Sequence, residues 1–157
     1  MTNFQRIGSS SNAVAGKNFE YAAKIYLENV LGRKLTLSKI VEVGISGIKK
    51  CHKFDIGDDE TIIECKTHRW TIGDRVPSAK LTVWNEAMYY FYLAPKNFTK
   101  IFIIEKHRSE KRNKTLGQYY VEKYKHFIPD DVEIWELDEG NNCHEIIKPK
   151  TMIQSIY

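Results

Sequence analysis

Apolar residues recur at helical spacing in two long stretches and alternate with polar residues in several short ones. Phe19, Ala22, Ala23, Tyr26, Leu27 and Val30 form one stripe, on a helix that the pattern starts near Gly16 or Lys17 and stops at Gly32. Leu81, Trp84, Asn85, Met88, Phe91 and Tyr92 form a second over 78–93, with Pro77 at or just before its first turn. Strand patterns occupy 40–45, 51–56, 61–67, 100–105 and 132–137, and a third helix lies within 116–127. The segment GDDE at 57–60 separates two of the strands, because Gly and Asp accept turn backbones that β-branched residues resist. Helix, three strands, helix, strand, helix, strand is the order of an α/β chain with a mixed central sheet flanked by helices.

The chain has 157 residues, the usual size of one domain, enough to bury roughly two thirds of its surface. Its 42% hydrophobic and 28% charged content excludes a disordered chain. The pattern divides it into a flexible lead-in over 1–16, one domain over 17–140, and an extension over 141–157 packed on or trailing that domain. No apolar window reaches membrane-spanning length and the opening MTNFQRIGSSSNAV has no secretory apolar stretch, so a cytoplasmic chain without membrane partners is expected. Cys51, Cys65 and Cys143 are odd in number and widely spaced, as free thiols are. The net charge of +4 is unevenly spread: 96–114 holds seven Lys or Arg against two Glu, whereas 130–145 holds seven acidic residues and no Lys or Arg. A basic segment of this kind can hold a polyanion, and it is equally the pattern of a solvated surface.

The stretch FDIGDDETIIECK (54–66) concentrates the candidate chemistry. Read as an ordinary hairpin, Asp55 begins a turn and Glu64 and Lys66 are surface charges of a strand. Period two instead puts Glu64 and Lys66 on one face with Ile63 and Cys65 on the other, and the hairpin register brings Asp55 beside Glu64. Asp55, Glu64 and the backbone carbonyl of Cys65 then offer hard oxygen ligands for Mg²⁺ or Mn²⁺, with water and phosphate oxygens completing the shell. Such an ion polarises a scissile phosphate and activates water. Lys66 is placed to bind the phosphate or orient the water, with proton transfer as a weaker alternative. Asp58, Asp59 and Glu60 belong to the turn.

With FD at 54–55 and ECK at 64–66, the chain resembles the PD-(D/E)XK, or restriction-endonuclease-like, nuclease superfamily. Phe54 stands where the family name has proline, a position that carries no metal ligand. The resemblance covers about 17–105 as an αβββαβ core. It implies Mg²⁺-dependent cleavage of DNA, with Asp55 and Glu64 at the metal-binding acidic positions and Lys66 at the catalytic lysine. It also implies that Glu20, on the edge of the first helix, contributes to the metal site directly or through water. Taken alone, Glu20 has an ordinary surface partner one turn on, in Lys24.

Thr67, His68, Arg69, Arg75 and Lys80 offer further phosphate contacts beyond Lys66. Ser78 either caps the second helix or joins them. Trp70 stacks on a base or, the stronger reading, closes the core. Arg108, Lys111, Arg112 and Lys114 extend a DNA path or belong to a solvated loop. Tyr119, Tyr120, Tyr124 and Phe127 pack a helix. His52, His68 and Cys65 make no complete zinc spacing, and no GxxxxGK loop calls for a nucleotide cofactor. The expectation is an Mg²⁺-dependent endodeoxyribonuclease, resolvase-like or otherwise directed by DNA structure, whose homodimer would pair two sites. The alternatives are a noncatalytic DNA-binding or assembly module of the same fold, a site-specific restriction endonuclease and, less favoured, a ribonuclease acting on RNA.

Overall fold

A computed structural model describes the backbone of residues 4–152 and the side chains of 12–152. Three helices, α1 (Phe4–Leu31), α2 (Ser78–Leu93) and α3 (Leu116–Tyr124), accompany eight strands. The strands are β1 (Thr36–Val43), β2 (Lys50–Gly57), β3 (Thr61–Lys66), β4 (Thr99–Glu105), β5 (Arg108–Ser109), β6 (Lys114–Thr115), β7 (Val132–Asp138) and β8 (Cys143–Lys148). Six form one mixed sheet in the order β1-β2-β3-β4-β7-β8, while β5 and β6 make a separate small hairpin. The central β3, β4 and β7 run parallel, and the outer pairs are antiparallel.

The sheet lies between two helical layers. Phe19, Ala23 and Leu27 of α1 pack on one face against Ile56, Ile63, Ile101, Ile103 and Trp135. Leu81, Trp84, Met88 and Phe91 of α2, with Leu116 and Tyr120 of α3, pack on the other against Phe54, Ile62, Phe102, Ile104 and Ile134. Burial on both faces is why TIIECK and TKIFIIE read as nearly continuous apolar runs.

Three expectations shift. The first helix begins at Phe4 rather than near Gly16, so part of the expected lead-in is helical. GSSSNAVAG contains no proline, and extending a nucleated helix adds a hydrogen bond for each residue fixed. The first strand starts at Thr36 rather than Ile40. The extension from Asn141 supplies β8, which closes the sheet edge against β7 through His144: its ring stacks on Trp135 and its Nδ1 meets the Tyr26 hydroxyl at 2.6 Å. No residue of β8 is fully buried, and the strand so carries little apolar alternation. Among the described residues no helix is long and apolar enough to cross a membrane.

Candidate functional site

The β2–β3 hairpin holds its own acidic turn. The Asp58 carboxylate accepts from the Glu60 and Thr61 amides at 2.8 and 2.7 Å, Arg33 pairs with Asp58 and Glu60, and Lys39 pairs with Asp59. Gly57 is required there, because a Cβ would lie 2.5 Å from the Thr61 carbonyl oxygen. Asp58, Asp59 and Glu60 are thereby committed to the turn.

Asp55 sits where β2 changes face. Phe54 packs under α2, yet Ile56, two residues on, packs under α1. The β1–β2 register passes from Leu37 opposite Ile56 to Lys39 opposite Phe54, skipping Ser38 and Asp55, and Ser38 has φ 60°. The twist turns the Asp55 carboxylate onto β3, where it accepts the Cys65 amide at 2.8 Å. The β2–β3 ladder pairs Ile56 with Ile63 and Gly57 with Ile62, so Asp55 and Glu64 stand where the two strands part.

Glu64 accepts from Lys66 Nζ at 2.9 Å through one oxygen, and its other oxygen is buried without a partner. Both side chains are only 14% exposed. Burial, partly offset by Lys66, pushes the Glu64 carboxyl up to about 7, and the nearby Asp55 charge adds to the rise. Burial opposes the ammonium of Lys66, but Glu64 and Asp55 outweigh it and raise its pKa. Lys66 is therefore a cation across the neutral range. Glu20 on α1 lies within reach of these charges: burial and the Asp55 charge raise its pKa, while Lys66, Lys53 and Lys17 lower it. Lys24 is not its partner, since Lys24 pairs with Glu28 at 3.0 Å. The Cys65 side chain points into the α1 face of the core, and burial raises its thiol pKa well above normal, which leaves it unreactive.

Beyond Lys66 a cavity of about 790 Å³ opens at the carboxy-terminal ends of β3 and β4, the usual place for ligands in a parallel sheet. Thr67, His68, Arg69 and Lys80 line it together with Asn12, Asn18, Glu105 and Glu139. Asn12 falls in the expected lead-in and Glu139 follows β7, so neither carried a signal in the sequence. Arg69 is engaged by Glu105, and burial together with Lys66 and Lys80 brings His68 down to about 4. Arg75 is exposed, and its carbonyl closes the loop turn on the Thr71 amide at 3.0 Å. Ser78 is the first residue of α2 and Pro77 takes the cap position without a side-chain hydrogen bond, so the capping role expected of Ser78 is not formed.

The distal basic residues are largely occupied. Arg108 pairs with Glu110 and Lys114 with Glu122. Arg112 donates to the Asp74 carbonyl at 2.6 Å and lies over Trp70, 4.9 Å from its ring centre. Trp70 is 6% exposed and belongs to the core, which removes it as a base-stacking platform. Lys111 is exposed and has no ion-pair partner among the described residues. Lys100, part of the same basic run, is fully buried against Asp131 at 2.7 Å.

Among the described residues no three His, Cys, Asp or Glu side chains are grouped as ligands for one metal ion. Asp55 and Glu64, at the parting of β2 and β3, would offer two. That number suits Mg²⁺, which commonly takes one or two protein carboxylates and fills its octahedron with water and phosphate oxygens. The unpartnered Glu64 oxygen, with the Asp55 charge acting on the same carboxyl, is an arrangement that a hard cation would neutralise. No protein-family model, curated protein or solved structure matches the chain.

Proposed function

We propose that this protein is a divalent-metal-dependent endodeoxyribonuclease of the restriction-endonuclease-like type. The observation that carries the reading is the grouping of Asp55, Glu64 and Lys66, with its unpartnered Glu64 oxygen, on strands that lead into a cavity lined by Arg69 and Lys80. The order α1-β1-β2-β3-α2-β4 around a mixed sheet is compatible with the αβββαβ core of such enzymes. Asp55, Glu64 and the Cys65 carbonyl would hold Mg²⁺ or Mn²⁺, with Glu20 beyond them, and the ion would supply Lewis-acid polarisation and an activated water.

Lys66 has a narrower role than the sequence allowed. Its pairing with Glu64 raises its pKa, which favours charge stabilisation over proton transfer. It binds a non-bridging phosphate oxygen and offsets charge as the transition state forms. The Cys65 amide fixes Asp55, so the carboxylate is set before substrate arrives. Lys80, which has no ion-pair partner among the described residues, and the uncapped start of α2 favour an anionic strand along the cavity.

The test is a panel of linear, nicked, branched and single-stranded DNA, with RNA, assayed in Mg²⁺ or Mn²⁺ and in EDTA. Intact protein is compared with folded Lys66→Ala. Metal-dependent cleavage of DNA that Lys66→Ala loses while still binding DNA is the expected result. Equal cleavage by the variant overturns the role of Lys66, and no cleavage of any substrate overturns the nuclease. A noncatalytic DNA-binding module is the competing reading, favoured by the absence of three grouped metal-ligand side chains among the described residues; binding without cleavage would select it.

A further inference from the structure

Trp84 and His68 share a hydrogen bond whose direction is dictated by chemistry. The indole Nε1 only donates, so His68 Nδ1, 2.7 Å away, accepts and carries no proton. A neutral imidazole then holds its proton on Nε2. Trp84 is fully buried beneath Phe102 and Tyr120, which fixes the indole in place. With Nδ1 engaged, Nε2–H is the only polar hydrogen the ring can offer.

His68 lines the cavity beyond Lys66. Lys66 and Lys80 are the charges that act on its ring, and Arg69, Glu105 and Glu139 complete the charged lining of that cavity. A second proton on the ring would set N–H against the indole N–H, next to two ammonium groups. Burial and those two lysines agree with this, keeping the ring neutral down to about pH 4.

We propose that His68 is a neutral hydrogen-bond donor, through Nε2–H, to a phosphate oxygen of the strand lying beside Lys66, and that Trp84 is the positioning residue that selects this tautomer. The inference rests on the nuclease reading for its substrate, but the tautomer does not. A fixed neutral donor contacts phosphate without changing charge with pH, and it excludes His68 as general acid or base. The lysines supply the attraction. His68 supplies direction, because an imidazole N–H points along one line whereas an ammonium rotates.

The experiment uses the full chain, ¹⁵N-labelled, with the imidazole nitrogens read by long-range proton–nitrogen correlation and His68 assigned by loss of its signals in His68→Gln. The Nε2–H form should persist from about pH 5.5 to 8.5, the range in which an ordinary histidine of pKa near 6.5 titrates. In EDTA, which silences metal-dependent cleavage, a single-stranded oligonucleotide and, separately, inorganic phosphate should each move the His68 signals. His68→Leu should weaken oligonucleotide binding about tenfold, the worth of one hydrogen bond to a charged group, and His68→Gln, whose amide donates, should restore most of it. Trp84→Phe should release the ring to a mixture of tautomers; if that variant does not fold, the Leu and Gln pair still decides.

A charged or Nδ1–H ring at neutral pH overturns the proposal, as does equal oligonucleotide binding by wild type and His68→Leu. If the protein cleaves DNA while neither probe moves His68, the proposal fails and the nuclease stands. If no DNA is bound or cut but phosphate moves the Nε2–H signal, the nuclease fails and the phosphate donor stands.

Discussion

Glu64 on β3 and Glu136 on β7 begin from the same physics. Both are buried near the carboxy-terminal ends of parallel strands, both have one side-chain oxygen without a partner, and burial raises the pKa of both. Their company differs. Glu136 accepts the Thr115 hydroxyl at 2.6 Å, beside the start of α3, where Thr115 and Gln118 form a reciprocal cap. Gly117 leaves it room, since a Cβ there would lie 3.1 Å from the Glu136 carboxyl. Glu64 instead faces a lysine, with the Asp55 charge acting on it, on a strand whose end leads into the residues that line a cavity. A buried glutamate with a spare oxygen is thus not in itself a site. Charged neighbours make it a candidate.

The comparison breaks most directly on cleavage. Asp55→Asn and Glu64→Gln should each lower DNA cleavage in Mg²⁺ at least about a hundredfold, equivalent to about 2.7 kcal/mol of transition-state stabilisation. Glu136→Gln should leave it nearly unchanged; comparable losses at both glutamates, measured in one initial-rate assay, would erase the distinction. Thr115→Ala should then destabilise the fold by about 2 kcal/mol in urea unfolding, because it removes a helix cap and leaves a buried carboxylate without its donor.

Metal addition should separate the two regions without any substrate. At ten times its Kd, Mg²⁺ or Mn²⁺ should stabilise the wild type by about 1.4 kcal/mol, visible as a rise in Tm, and Glu136→Gln should respond equally. Asp55→Asn should show little of it.

The smallest effect is a slope. Burial raises the Glu136 pKa, and Thr115 and Lys106 only partly offset it. The native state therefore keeps this proton at pH values where the unfolded chain has lost it. Stability is greatest below the ordinary glutamate pKa and falls as pH rises toward the raised value. Glu136→Gln should flatten that part of the stability–pH curve, and an unchanged curve would show that Glu136 is ionised in the native state.

Local patterns carried much of the architecture. The α2 span over 78–93 was legible because five buried residues recur on one side, and the hairpin because Gly57 and three acidic residues leave few other conformations. The turn also explains why Asp58, Asp59 and Glu60 separated readily from Asp55: their partners Arg33 and Lys39 are turn neighbours across the sheet edge. The start of α1 was illegible, since GSSSNAVAG has no apolar stripe to declare a helix. The edge strand β8 was missed for a similar reason: its anchor is a contact among His144, Trp135 and Tyr26, far apart along the chain.

Charge was the least readable property. The basic run over 96–114 looked like one surface, yet Lys100 is buried, Arg112 braces a tryptophan, and Arg108 and Lys114 are paired with glutamates. The sequence by itself determined the α/β order and the placement of Glu64 and Lys66 on one strand face, because strand alternation is local and every second side chain shares a side. Only the tertiary structure decided that β2 twists at Asp55 to meet the Cys65 amide, that the Asp55 and Lys66 charges act on Glu20 of α1, and that Trp84 engages His68. Those meetings depend on the packing of separate elements around a common core, and no spacing along the chain encodes them.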